Sequence, residues 1–147
     1  MKRHHFLVLL FPLVSIGVRA QTSEIYAPGG KAISGYDPVA FFVAASPVKG
    51  VDSLSYNWKG TVWLFANRQD LRSFSSNPEK YAPQYGGYCA YGAAQGHKAS
   101  SEIDTWTIVN GKLYFNYNAK IKGLWVKDQQ EMIRTADKQW PGIKNKG

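Results

Sequence analysis

Two side chains downstream of the N-terminal stretch combine metal affinity with nucleophilic or acid–base reactivity. They are Cys89, the sole cysteine of the chain, and His97. A thiolate and an imidazole are the donor types that suit zinc and copper, and within hydrogen-bond reach they also make an activated nucleophile. Their spacing, Cys-x7-His, matches none of the usual zinc patterns. On one helix over residues 88–95 they would lie about 12 Å apart along the axis. A single ion binds such donors at about 2.0–2.3 Å. A joint site therefore requires the chain to turn back, at Gly92 or Gly96, where glycine makes a left-handed conformation cheap.

Three roles stand open for Cys89. It is a small buried hydrophobe filling a tight gap, the anchor of a metal or ligand site, or a redox-active or nucleophilic thiol. Being alone, it cannot form an intramolecular disulfide. Met132 or a tyrosine would complete a copper site with it, though no spacing selects either. For catalysis, Asp104 or Asn116 would have to orient the His97 ring. No Gly-x-Ser-x-Gly, His-Glu-x-x-His or paired-carboxylate signature is present, so binding is expected over catalysis and no catalytic residue is assigned.

The residues preceding Cys89 carry a second set of candidates. Tyr85-Gly86-Gly87-Tyr88 opens a helix with anion-seeking N–H groups, or it is a tight turn that lets backbone pass close to the hairpin ending at Phe65. No glycine pattern of a phosphate-binding loop accompanies it. Tyr85, Tyr88 and Tyr91 recur every three residues. They read as one wall of a small-ligand pocket, or as core packing with hydroxyls at the rim. Asp37, just before Pro38, is a helix cap first and a hard ligand or acid second. Asp70 in mid-helix, and Glu102 and Asp104 ahead of a strand, read as solvated carboxylates.

Short elements must position these groups. Residues 55–58 and 61–65 are rich in aromatic and β-branched types and flank Lys59-Gly60, which predicts a β-hairpin. Residues 105–109 and 112–116 flank Asn110-Gly111, the preferred type I′ turn pair. Asn67 is expected to cap a helix to about Ser75, Asn77-Pro78 to open another turn, and Asn118 to cap a terminal helix that Pro141-Gly142 stops. Ile121, Leu124, Trp125, Met132, Ile133, Ala136 and Trp140 supply that helix's apolar face. The class is α+β: a small antiparallel sheet built from two hairpins, covered by short helices and a C-terminal helix.

Residues 1–20 have the form of a cleavable signal. Lys2, Arg3, His4 and His5 precede an apolar run of about 13 residues, and Val18-Arg19-Ala20 offers a cut before Gln21. The run is short of the roughly 20 residues that span a bilayer. The expected product is one domain, residues 21–147, in the periplasm or secreted, with no membrane anchor. Lys2, Arg3 and Arg19 leave with the signal, so 18 basic residues become fifteen against ten acidic, a net charge of +5. The remaining lysines are spread along the chain and form no basic stripe, which argues against nucleic acid. One cysteine and few ligands also leave room for a site shared across a homodimer.

Phe65, Phe74 and Asn77-Pro78-Glu79-Lys80-Tyr81 resemble the core of a YHS domain. The block Tyr81-Ala82-Pro83-Gln84-Tyr85-Gly86-Gly87-Tyr88-Cys89-Ala90 resembles the exported, stand-alone members of that family. The resemblance spans roughly residues 33–140. It implies a binding role, with copper or zinc as the ligand and Cys89 as its anchor. Where the wider family carries two cysteines this chain has Ala66 and Asp70, and the three-letter motif that names the family is absent.

Overall fold

The computed structural model describes residues 23–146, so the expected signal, residues 1–20, lies outside the described residues. Four strands form two hairpins: β1 (Val51–Trp58) with β2 (Thr61–Phe65), and β3 (Glu102–Val109) with β4 (Lys112–Asn116). Each turn has two successive left-handed residues. Lys59 and Gly60 have φ of +49° and +69°, Asn110 and Gly111 of +51° and +72°. That is the type I′ geometry whose twist matches the flanking strands.

The protein is α+β, as expected, and its hairpins make two separate two-stranded antiparallel sheets. Isolated bridges occupy their flanks instead, Lys31 to Val62 of β2 and Cys89 to Phe115 of β4. The hairpins meet through side chains. Trp63 and Phe65 pack with Leu113 and Phe115, and Phe41 and Phe74 complete a buried aromatic cluster. β4 is buried on both faces, because Tyr114 points into a second cluster with Tyr85, Trp125, Ala136 and Ile143.

Helices α1 (Ala40–Val43), α2 (Arg68–Ser76), α3 (Pro78–Tyr81) and α4 (Ala90–Ala94) are short. The side chain of Asn67 caps α2 by accepting from Asp70 N at 2.8 Å. Asn118 caps α5 (Ala119–Lys127) by accepting from Ile121 N at 2.9 Å. The single terminal helix expected from the apolar pattern is two helices, because α6 (Gln129–Ile143) starts anew after non-helical Asp128. Pro141 does not stop α6. Near the helix end a proline removes only one N–H bond, and Lys144 N still reaches Trp140 O at 2.9 Å. Small residues on α4 (Ala90, Ala93 and Ala94) let α6 pack closely through Ala136.

Candidate functional site

Cys89 sits where three segments converge. Its N–H donates to Ala99 O at 2.9 Å, and its neighbour Tyr91 N donates to Asn116 Oδ1 at 3.1 Å. The sulfur accepts from Gly92 N at 3.4 Å and Tyr117 N at 3.2 Å, and its S–H faces Asn116 Oδ1 at 3.7 Å. Cys89 is thus the N-cap of α4 and a tie between α4 and the end of β4. It is 1 % exposed. Asn116 is fully buried, and its Nδ2 has no protein partner among the described residues.

The chain does turn back after α4, at Gly96 with φ +87°. Gly96 N bonds Ala93 O and His97 N bonds Gly92 O, both at 3.1 Å, which is a Schellman termination. The reversal brings Ala99 backbone beside Cys89. The His97 side chain stays exposed and lines a different cavity with Gly96, Lys98, Ile143 and Lys146. Among the described residues no three His, Cys, Asp or Glu side chains are grouped to hold a metal ion.

Tyr85-Gly86-Gly87 is the tight turn, not a helix start. Their φ values are +55°, +62° and +86° within a single 3-10 turn, Gln84–Gly87. The backbone that passes close is residues 24–26 rather than the expected hairpin. Tyr26 N donates to Gly86 O at 2.8 Å, and a Cβ on Gly86 would stand 1.8 Å from Glu24 O. Gly87 is also confined, though less severely, since a Cβ there would meet the Ile33 Cγ2 methyl at 2.8 Å. A non-glycine residue held left-handed, as Tyr85 is, marks backbone whose surroundings over-determine it.

That turn floors a cleft of about 320 Å³. Trp58 of β1 and Trp140 of α6 line it, with Ile25, Ala82 and Pro83. Lys59, Glu24, Glu79, Gln84, Lys112 and Asp137 supply its polar groups. Tyr85 Oη donates to Asp137 Oδ1 at 2.9 Å. Burial, and then that acceptor and its charge, push the Tyr85 hydroxyl far above the usual phenol range, so it acts as a donor. Lys59 Nζ lies 2.8 Å from Glu24 Oε1, 4.0 Å from Glu79 Oε1 and 4.8 Å from the Trp58 ring centre.

The three tyrosines do not share one helical face, because α4 begins only at Ala90. Tyr85 is buried in the turn. Tyr88 is half-buried between Tyr26 and Trp140, at 5.3 and 6.2 Å, and donates to Ser23 O at 2.9 Å. Tyr91 is half-buried and packs beside the second cluster. Tyr85 and Gly86 are therefore the two expected ligand residues that line the cleft. Trp58 and Trp140 escape a sequence reading because they come from segments 82 residues apart.

Asp37 is a cap, as expected, and more. Oδ1 accepts from Val39 N at 2.9 Å and Ala40 N at 3.3 Å, and Oδ2 accepts from Ala66 N at 2.9 Å. Asp70 is not the solvated carboxylate that its mid-helix position suggests. It is buried, accepts from Asn67 Nδ2 at 3.2 Å and lies close enough to Asp37 to act on its carboxyl. Burial, and then the hydrogen bond and charge of Asp70, raise the Asp37 carboxyl to about 6 against the N–H bonds from Ala66 and Val39. A paired-carboxylate arrangement thus exists that no local motif announces. The nearest signal is Asn67-x-x-Asp70, a capping-box-like spacing that turns Asp70 back toward the helix start.

Comparison of the chain with protein-family models, with curated proteins and with solved structures finds no match.

Proposed function

We propose that this chain is an exported, YHS-like binding module without catalytic activity, whose ligand site is the cleft at Tyr85 and Gly86. In this reading Cys89 holds the fold together. The observation that carries it is the cleft itself. A concave, mixed polar and aromatic volume of about 320 Å³ is built on the left-handed Tyr85–Gly86 turn and walled by Trp58 and Trp140. Sites for small molecules begin at about that size, and this one is more polar than most, with five charged residues beside its two indoles. Cys89, by contrast, is 1 % exposed, and every contact of its sulfur serves α4 or β4. Export rests on the basic start and apolar run of residues 1–20.

A fragment screen by ligand-observed NMR tests this assignment. Binding is expected in the wild type and in Cys89→Ser, and is expected to vanish in Gln84→Trp, which places an indole at the cleft wall. Binding that follows Cys89→Ser and ignores Gln84→Trp would overturn the assignment.

The resemblance supplies a second reading, copper or zinc at Cys89. Its support is the approach of Sγ to Asn116 Oδ1, 3.7 Å apart in a buried site. Two donors fall short of the three or four protein ligands that zinc sites use. This reading therefore needs a further donor from a second copy or from rearrangement.

A further inference from the structure

We infer that the ligand of this cleft is a small organic ammonium ion, received by the Asp137 carboxylate against the Trp140 indole. The inference rests on the reading of the cleft as the ligand site. Its first ground is charge. The lining carries three carboxylates, Glu24, Glu79 and Asp137, against two ammonium groups, Lys59 and Lys112.

The second ground is that the chain already places an ammonium in half of the cleft. Lys59 Nζ lies over the Trp58 ring at 4.8 Å, between Glu24 at 2.8 Å and Glu79 at 4.0 Å. An indole face attracts a cation through its quadrupole, and flanking carboxylates add to that attraction. Lys59 is thereby paired with Glu24, and Glu79 stands at the limit of its reach, so the lining keeps one carboxylate in excess. Lys59 is tied there and is a poor partner for an incoming anion.

Asp137 and Trp140 offer the same pair of groups, a carboxylate and an indole, and no lysine is ion-paired with Asp137 among the described residues. Asp137 and Trp140 are three residues apart on α6 and line the same cleft, the spacing that puts two side chains on neighbouring turns of one face. Among the described residues Asp137 makes no ion pair, and its contact within the cleft is the Tyr85 hydroxyl at 2.9 Å. The Trp140 ring is fixed by Tyr85 at 5.9 Å and Tyr88 at 6.2 Å. A held carboxylate beside a held indole is an ammonium receptor in which little side-chain freedom is lost on binding. Asp137 is exposed, so binding should weaken as salt rises. Lys112 is the group an anionic ligand would choose, and it sets the contrary test.

The experiment is an indole-region ¹H–¹⁵N titration of the full mature protein with choline, ethylammonium and propionate. Wild type and Asp137→Asn are compared. The asparagine keeps an acceptor for Tyr85, and equal thermal midpoints would show the fold is intact. Expected are saturable shifts of the Trp58 and Trp140 signals with the two cations, and a Kd about tenfold weaker in Asp137→Asn. Propionate should leave those signals in place. Shifts with propionate and none with the cations would overturn the ligand class while keeping the cleft as the site. Cation binding that ignores Asp137→Asn would overturn the role of Asp137. No shift with any probe would count against both the ligand class and the cleft.

Discussion

Asp37 and Asp70, thirty-three residues apart in the chain, both bind the link from β2 to α2, where Asp37 Oδ2 accepts from Ala66 N at 2.9 Å and Asp70 Oδ2 accepts from Asn67 Nδ2 at 3.2 Å. Both are buried, and no lysine, arginine or histidine forms a salt bridge with either among the described residues. Burial, with the neighbouring Asp70 carboxylate adding to it, keeps a proton on Asp37 to higher pH than usual.

The consequence is an inverted acid response. The Asp37 carboxyl lies at about 6 in the folded state against 3.8 as a free side chain, so between those values the folded state binds more protons than the unfolded one. Stability should therefore rise as the pH falls from about 6 toward 4, by on the order of 2–3 kcal/mol. Asp52 and Glu131 are shifted the other way by Lys31 and Arg134, and their contribution is lost only below the ordinary carboxylate range. Urea unfolding at pH 7.5 and 4.5 should give the higher midpoint at 4.5. Asp70→Asn should shrink the difference without abolishing it, because burial is the larger cause of the shift. A midpoint that falls with acid would contradict the pairing.

Cys89 makes a graded prediction. Alanine removes the cap of α4 and leaves Tyr117 N without its acceptor, which should cost about 2–3 kcal/mol. Serine keeps an acceptor for Gly92 N and a donor for Asn116 Oδ1, and should cost about 1 kcal/mol. Denaturant midpoints of the two variants check the order. The thiol should also resist alkylation in the native protein, at 1 % exposure, and react once denatured.

Gly86 and Gly60 separate steric confinement from backbone preference. Both have positive φ, +62° and +69°. A Cβ at Gly60 meets nothing within 4 Å, whereas at Gly86 it would stand 1.8 Å from Glu24 O. Gly60→Ala should cost about 1 kcal/mol, the left-handed penalty alone. Gly86→Ala should cost well above about 3 kcal/mol, because backbone must move. Thermal melts of the two variants should differ by many degrees. Proteolysis should show residues 23–26 released in Gly86→Ala.

Thr105 is a stand-in for backbone. The β3–β4 register shifts between Glu102 and Thr107, and in the gap Thr105 Oγ1 accepts from Asn116 N at 2.8 Å. Oγ1 also lies within bonding distance of Glu102 O at 2.6 Å and Asn116 O at 2.9 Å. Thr105→Val is nearly isosteric and strands these buried groups, at a cost of about 2–3 kcal/mol. Equal stability of the valine variant in urea would contradict that role.

What could be read from the chain was local. Lys59-Gly60 and Asn110-Gly111 fixed both hairpins, and Asn67, Asn118 and Asp37 marked three helix starts, because turn and cap chemistry depends on neighbours in sequence. The break at Asp128 is hidden in the sequence, because the apolar stripe of the terminal helix continues through it. Tyr85, Tyr88 and Tyr91 have a helical spacing that the left-handed turn at residues 85–87 interrupts. The Asp37–Asp70 pair and the Trp58–Trp140 cleft join residues far apart in the chain, and no spacing rule reaches them. For Cys89 burial is one of three roles the sequence leaves open, and its work as a cap is not legible, because cysteine is not among the usual N-cap residues.

Native mass spectrometry tests most directly whether binding belongs to the cleft or to the thiol. Residues 21–147, wild type, Cys89→Ser and Asp137→Asn, would each be sprayed after anaerobic exposure to copper(I) and to zinc(II), and separately with choline. The account predicts no stoichiometric metal ion that depends on Cys89, and one choline adduct kept in Cys89→Ser and weakened in Asp137→Asn. One copper or zinc ion on the wild type, lost in Cys89→Ser, would contradict it and make the thiol the site.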